Sequence, residues 1–302
     1  MGPDRAQPQP PWDADSRDSL DAVTESSVEW HMLNMAGELI TIRMADTIGT
    51  GLRQVLRPYW TYDPGSGDGV APIPHLMQLE TCGRQVSLGA PLRQEYRFRL
   101  VTSRGVDDAL IRAHLVMSCT LYERGAPASG ALGSAEIWMA LTRPFAAPDA
   151  RRLRAVPEGL AFLTEQGVAE HELGGRPIES FRCRAAASET VFRDTLPLVY
   201  HMDRSDSNRH INMHVYPQQA LDYLALAFHR SGGDAGRLRF RKVTVCFRRP
   251  FLPGDAAEVE VEVVRRQNRF RAALRFHHDL GAGGRSQKVS MALLAEGVLA
   301  ET

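Results

Sequence analysis

The sequence predicts an α+β protein in which two tandem units each wrap an antiparallel sheet around one helix. Apolar residues alternate with polar ones in two groups of segments, one in each half of the chain, and one helical pattern precedes each group. At 302 residues, of which 43% are hydrophobic, the chain has enough apolar material for two packed cores.

Period-two alternation identifies the strands, because successive side chains of a strand point to opposite faces of its sheet. In the first half the alternating segments are residues 96–100, 113–121 and 135–141. In the second half they are residues 243–247, 259–263, 270–276 and 289–293. The same pattern therefore occurs twice, as expected of an internal pseudo-dimer.

One helix is predicted ahead of each group of strands, over about residues 37–56 and 217–230. The second has an apolar face, tolerates Pro217 in its first turn and is followed by the stop signal Gly232-Gly233. In the first, Gly49 and Gly51 lower the helix propensity, which favours a shorter or kinked helix. A helix wrapped by long antiparallel strands is the hotdog plan, so two copies predict a double hotdog.

Composition sets the expected domain limits. Residues 1–27 are rich in Pro, Asp, Ser and Gln and are predicted to be a disordered leader. The N-terminal hotdog is predicted over 28–143, a linker with many Pro and Gly residues over 144–187, and the C-terminal hotdog over 188–302.

Charge and cysteine content narrow the class of protein. Lys plus Arg and Asp plus Glu are both 36, so no overall field favours nucleic acid. The four cysteines are widely spaced in mainly apolar segments, which favours buried free thiols in a reducing cytoplasm. No apolar segment predicts a membrane span or a secretion signal, and no cofactor or metal site is expected.

The most informative segment is residues 200–216, YHMDRSDSNRHINMHVY, a polar loop between a predicted strand and the second helix. Its polar residues have the spacing D-x-N-x-H-x-N-x-x-x-Y, formed by Asp206, Asn208, His210, Asn212 and Tyr216. This segment resembles the acyl-[acyl carrier protein] thioesterases, a double-hotdog branch of the hotdog thioesterases.

Two further segments carry the resemblance. Arg151-Arg152-Leu153, followed by Pro157, is similar to the family's R-R-L-x-x-x-P segment after its first hotdog. Residues 247–255, FRRPFLPGD, are similar to an elbow between strands that is common in hotdog thioesterases.

The resemblance implies that the N-terminal hotdog holds the acyl chain and that the C-terminal hotdog supplies the catalytic residues. Asn34 and Glu38 are the polar candidates in the first half. The sequence departs from the family at Pro250-Phe251, where relatives often carry a Glu-Cys pair, so a cysteine-based mechanism is not expected. Cys246 lies in the alternating segment VTVCF and is interpreted as a core thiol.

Thioester hydrolysis requires an activated nucleophile and a site for the developing negative charge. Asp206 is expected to supply the carboxylate, either as a general base or as a nucleophile, and both routes stay open. His210 is expected to share proton transfer, and Asn208 to orient the carboxylate, the water or the substrate. Asn212 and Tyr216 are candidate substrate contacts, with helix capping and packing as the alternative.

Arg248 and Arg249 are candidate substrate-binding residues within a larger group of basic residues on the second set of strands. The other members are Arg237, Arg239, Arg241, Lys242, Arg265, Arg266 and Arg269. Two interpretations are open: a solvated sheet face, or a docking surface for an acidic carrier protein or for pantetheine phosphates.

The leading hypothesis is a thioesterase that acts on acyl carrier protein or CoA thioesters in fatty-acid or polyketide-type metabolism. One alternative is a dehydratase or cyclase acting on carrier-bound intermediates, since His and a carboxylate also suit proton abstraction beside a thioester carbonyl. The other is a non-catalytic acyl-thioester-binding protein, in which Asp206, Asn208 and His210 only cap and shape the loop. A homodimer of double hotdogs is a possible assembly.

Overall fold

The computed structural model describes residues 19–60, 69–125, 130–163, 165–167, 178–183, 190–205, 211–279 and 285–301. The strands are β1 (Leu20–Ser27), β2 (Ala71–Thr81), β3 (Pro91–Arg104), β4 (Leu110–Glu123), β5 (Gly133–Thr142), β6 (Glu165–Gly167), β7 (Thr190–Val199), β8 (Leu238–Phe247), β9 (Ala256–Arg266), β10 (Arg269–Asp279) and β11 (Arg285–Leu299). The α-helices are α1 (Met44–Thr50) and α2 (Val215–Arg230).

One continuous sheet carries both halves of the chain. Its order is β1-β3-β4-β5-β2-β8-β11-β10-β9-β7, with antiparallel pairing throughout and β6 added in parallel to β3. The order reads the same from either edge if β1 to β5 are matched with β7 to β11. The repeat that the alternation predicted is therefore confirmed as an internal two-fold arrangement.

The two halves join through β2 and β8, which pair from Leu76 with Cys246 to Glu80 with Lys242. Because the pair is antiparallel, the start of β2 lies beside the end of β8. The end of β8 leads into the Phe247 to Phe251 segment near the start of α2, so this end of the seam lies next to the predicted site.

The second helix agrees closely with its prediction. It begins at Val215, two residues before the predicted limit, and ends at Arg230. Gly232 has a φ of +83°, and the Gly233 N–H donates to the Phe228 carbonyl at 3.0 Å, a C-terminal cap that needs a residue in the left-handed region. The buried face consists of Tyr216, Pro217, Ala220, Leu221, Leu224, Ala227 and Phe228.

The first helix is shorter than the predicted 37–56. A 3₁₀ turn at Thr41–Arg43 precedes α1, and a π-helical segment, Gly51–Leu56, extends it. A Cβ atom on Gly51 would lie 2.7 Å from Met117 Sδ and 2.8 Å from Tyr96 Cδ1. The glycine that lowers helix propensity is therefore the residue that allows the helix to lie close against β3 and β4.

The prediction of a disordered leader over residues 1–27 is wrong for its last eight residues. Residues Leu20–Ser27 form β1, which pairs along its whole length with β3, and Leu20 is buried. Pairing with a neighbouring strand orders this short polar segment, which composition alone does not indicate. Residues 1–18 lie outside the described part of the chain. Within the described residues, no helix combines the length and apolar character needed to cross a bilayer.

Candidate active site

The centre of the predicted motif, Asp206, Asn208 and His210, lies outside the described residues. The residues on either side are described, and they pair: Ser205 and Ile211 form an antiparallel bridge. The Asn212 N–H also donates to the Arg204 carbonyl at 2.8 Å. Residues 205 and 211, which flank the segment 206–210, therefore lie next to each other, a few residues before α2.

The entry to α2 is organised by Asn212. Its Oδ1 accepts a hydrogen bond from the His214 N–H at 3.0 Å, and its carbonyl accepts one from the Val215 N–H at 2.9 Å. This is an Asx turn directly before the helix, whose N-cap residue is His214, and it gives Asn212 a structural role as the sequence alternative did. A substrate contact by Asn212 stays a prediction.

His214 is partly buried at the same helix start. Burial lowers the pKa of its imidazole; the Arg53 charge also lowers it, whereas the Asp46 charge raises it. His214 therefore adds no fixed positive charge at neutral pH.

Four aromatic side chains form a cluster next to Ile211 and the start of α2: Tyr200, Tyr216, Phe247 and Phe251. The Phe251 ring lies 4.7 Å from Tyr200 and 6.1 Å from Tyr216, and the Tyr216 ring lies 5.9 Å from Phe247. We call this set the aromatic floor.

Two hydrogen bonds connect Ile211, Phe251 and Tyr216 within this region. The Ile211 N–H donates to the Phe251 carbonyl at 3.0 Å, and the Phe251 N–H donates to the Tyr216 hydroxyl at 2.9 Å. Tyr216 is thus buried and serves packing, the alternative that the sequence left open. Its predicted contact with substrate stays a prediction.

A buried histidine on β10 supports the floor from the opposite side. The His278 ring stacks on Phe251, with ring centroids 4.0 Å apart. Its Nδ1 lies 2.7 Å from the Ser290 hydroxyl, and its Nε2 lies 3.4 Å from Asp255 Oδ2. Burial lowers the pKa of His278 and the Arg249 charge lowers it further, against the opposing effect of Asp255, so the neutral ring is favoured.

Sequence reasoning missed this support because it depends on a change of strand register. The pairing of β10 with β11 shifts on both sides of His277, and His277 and His278 are both buried although they are adjacent. Strict alternation would expose one of them. The signal in the sequence was the pair of histidines itself, which breaks the alternation of segment 270–276.

The predicted arginine group is divided among several places. Arg239 and Arg241 face the first half of the chain at the start of β8. Arg248 and Arg249 are exposed after β8, and their N–H groups both donate to the Ser290 carbonyl, at 3.0 and 3.1 Å. The second pair therefore lies beside the His278 support, and its predicted role in substrate binding stays a prediction.

The first half carries a loop closed in the same way, by a bridge between Leu33 and Leu39. Its Asn34 Oδ1 accepts hydrogen bonds from the N–H groups of Ala36 and Glu38, at 2.8 and 3.1 Å. The Glu38 carboxylate lies 2.8 Å from Arg241 Nη2 and 3.9 Å from Arg239 Nε. The candidate carboxylate of the first half is therefore engaged in an ion pair that joins the two halves.

Among the described residues, neither the cysteines nor the possible metal-binding side chains form an alternative reaction centre. All four cysteines are free; Cys119 and Cys246 are buried, whereas Cys82 is exposed, contrary to a uniform set of buried thiols. No group of three or more His, Cys, Asp or Glu side chains is arranged to hold a metal ion among the described residues.

The chain is similar to known proteins in structure, and no match was found by sequence. No protein-family model matches the chain, and no curated protein matches it significantly. A crystal structure described as an oleoyl thioesterase from Lactobacillus plantarum matches with a TM-score of 0.66 at 10% identity, covering 96% of this chain and 99% of that one.

Two more solved structures match both halves. A 12:0-ACP thioesterase from Umbellularia californica gives a TM-score of 0.60 at 10% identity and covers 93% of this chain and 98% of that one. An acyl-ACP thioesterase from Bacteroides thetaiotaomicron gives 0.58 at 11% identity and covers 95% and 100%. The chain has the double-hotdog fold. At these identities the double hotdog is what the likeness shows, and the chemistry has to be argued from the residues.

Proposed function

We propose that this double-hotdog protein hydrolyses an acyl thioester carried by acyl carrier protein or by CoA. The observation that carries the proposal is the D-x-N-x-H spacing in the segment whose described ends, Ser205 and Ile211, pair directly before α2 on the aromatic floor. The positive end of the α2 helix dipole favours a developing oxyanion, and the adjacent loop supplies a carboxylate, an amide and an imidazole.

In the proposed reaction, Asp206 activates a water molecule or attacks the carbonyl carbon itself. The C–S bond then breaks, and the thiolate leaves with a proton that His210 delivers. Asn208 orients the reacting groups. If Asp206 attacks directly, water hydrolyses the acyl-enzyme anhydride in a second step and restores the carboxylate.

We propose a division of roles between the units, with residues 28–143 holding the acyl chain, 188–302 carrying the reaction and 144–187 linking them. Fatty-acid or polyketide-type metabolism in the cytoplasm fits a carrier-bound substrate, and a homodimer of double hotdogs is compatible with it. Arg248 and Arg249 favour the proposal because they are exposed cations near His278 that could bind an anionic substrate.

The test measures turnover of acyl-carrier-protein and acyl-CoA thioesters by purified variants. Asp206→Asn and Asp206→Ala are expected to lower kcat about 100-fold or more, and His210→Gln about tenfold or more. The matched control is Glu38→Gln, which makes the same change from carboxylate to amide in the equivalent loop of the first half. Turnover by Asp206→Ala at the wild-type rate refutes the site.

Mass spectrometry of the products separates hydrolysis from the alternatives. A free acid and a free thiol are the expected products. A chain that is still tethered, and that is unsaturated or cyclised, would instead indicate a lyase or cyclase, and tight binding without turnover would indicate a binding protein.

A further inference from the structure

A cavity of about 330 Å³ is lined by the start of β4, the end of β5, the linker segment 148–153 and His75 of β2. Five of its lining side chains are basic: His75, Arg112, His114, Arg151 and Arg152. No carboxylate is among the described residues that line it. Its remaining lining is mainly apolar, so the positive charge is set in a partly desolvated surface, where an anion is attracted more strongly than in water.

The most informative of these residues is His114 on β4, which is 3% exposed. Its ring lies between His75 and Trp138, with ring centroids 5.8 and 6.1 Å away. Its Nδ1 is buried and has no hydrogen-bond partner among the described residues. Buried polar atoms are nearly always paired, so this nitrogen keeps an unused hydrogen-bonding capacity in a residue that lines the cavity.

The surrounding charges identify the sign of that ligand. Burial, together with the charges of His75 and Arg112, lowers the pKa of His114 to about 4. Burial disfavours a charge of either sign, whereas the positive charges of His75 and Arg112 favour an anion beside them.

The Arg151-Arg152-Leu153 segment is held at this cavity by the end of β5. The Arg151 carbonyl accepts hydrogen bonds from the Thr142 hydroxyl at 3.0 Å and from the Arg143 N–H at 3.1 Å, and Leu153 is buried. The linker motif therefore holds the backbone of two exposed arginines beside the cavity. Planar guanidinium forks suit a tetrahedral phosphate, because they can bind two oxygens at once.

The cavity is also placed to serve the proposed reaction centre. His75 precedes Leu76, which pairs with Cys246, and Phe247 of the aromatic floor follows Cys246. His75 and Phe247 therefore lie at the same end of the β2 and β8 pair.

We propose that this cavity binds the phosphate of the substrate's 4′-phosphopantetheine arm, with Arg112, Arg151 and Arg152 as its cationic ligands and His114 as a hydrogen-bond donor to it. The inference rests on the proposed function for the identity of the arm. The shared chemistry, a phosphate monoester or diester, could also come from a free phosphate compound, and the experiment separates the two.

The kinetic arm compares an acyl-4′-phosphopantetheine thioester with the acyl-pantetheine thioester, which lacks only the phosphate. Arg152→Ala is expected to raise KM for the first about tenfold and to leave KM for the second unchanged. The control is Arg124→Ala, which removes an exposed arginine that follows β4, at the opposite end of that strand from Arg112. An equal effect of both variants, or no difference between the two substrates, overturns the inference.

The binding arm uses calorimetry with 4′-phosphopantetheine, pantetheine and inorganic phosphate, and needs no turnover. Binding of 4′-phosphopantetheine that weakens about tenfold in Arg152→Ala supports the site even if no thioester is hydrolysed. Hydrolysis without any phosphate dependence refutes the site alone. Inorganic phosphate binding as tightly as 4′-phosphopantetheine assigns the cavity to a free phosphate and overturns the assignment to the substrate arm.

Discussion

The ion pair between Glu38 and Arg241 gives the sharpest stability prediction, because it joins the first loop to the second half of the chain. Glu38 receives charge-assisted hydrogen bonds from Arg241 at 2.8 and 3.3 Å, and the side chains are 14% and 26% exposed. Exposed pairs contribute at most about 1 kcal/mol, whereas breaking a fully buried pair costs about 3–5 kcal/mol. We expect an intermediate coupling energy of about 2 kcal/mol between these two residues.

The assay is a double-mutant cycle of urea unfolding with Glu38→Gln, Arg241→Met and the double variant at pH 7.5. Burial alone would raise the pKa of Glu38, but hydrogen bonds from Arg241 and Asn34 and the charges of Arg241 and Arg239 together lower it. Stability from a carboxyl with a lowered pKa is present above the unfolded-state value of 4.5 and is lost as the pH falls through the folded-state value. The coupling should therefore disappear under acid conditions.

Two results would refute this reasoning. A coupling energy below about 0.5 kcal/mol at pH 7.5 would mean that solvent screens the pair as it does on an open surface. Loss of thioester hydrolysis in a folded Glu38→Gln protein would mean that the first loop belongs to the reaction centre, which contradicts the proposed division of roles.

Two further predictions concern the aromatic floor and the phosphate cavity. Phe251→Ala removes a fully buried ring that contacts Tyr200 and His278, and should lower the free energy of unfolding by about 3–5 kcal/mol in urea titration; a loss below about 1 kcal/mol would contradict the packing described. His114 has a pKa of about 4 in the folded protein against 6.5 for an unperturbed imidazole, so the stability it contributes is present above pH 6.5 and lost as the pH falls to 4. Wild type should lose up to about 3 kcal/mol relative to His114→Gln across that range, and parallel curves would contradict the expectation.

The strand segments and the second helix could be predicted because their signal is local. Alternation at residues 113–121 or 259–263 reports burial directly, and α2 carries its own start and stop residues. Strand β1 was missed for the opposite reason, since its eight residues are ordered by pairing with β3, about 70 positions away in the sequence.

The surroundings of the candidate site could be predicted only in part. The motif directs attention to the segment before α2, but the contact of His278 with Phe251 depends on the register shift in β10. The phosphate cavity likewise depends on contacts between distant segments, because it gathers His75, Arg112 and Arg152 from three separate parts of the chain. Spacing within one segment carries no information about such contacts.

The residue at the register shift of β2 and of β8 differs between the two halves of the chain. Arg241 falls at the register shift of β8 with β11, and His75 at the corresponding shift of β2 with β5. Counting from each closing bridge, Asp206 and His210 occupy the sequence positions of Asn34 and Glu38. A permanently charged Arg241 engages the carboxylate of the first loop, whereas the corresponding seam residue for the second loop is a titratable histidine. An imidazole, unlike a guanidinium, carries no permanent charge, and a carboxylate that is to act as base or nucleophile has to be free of a fixed ion pair.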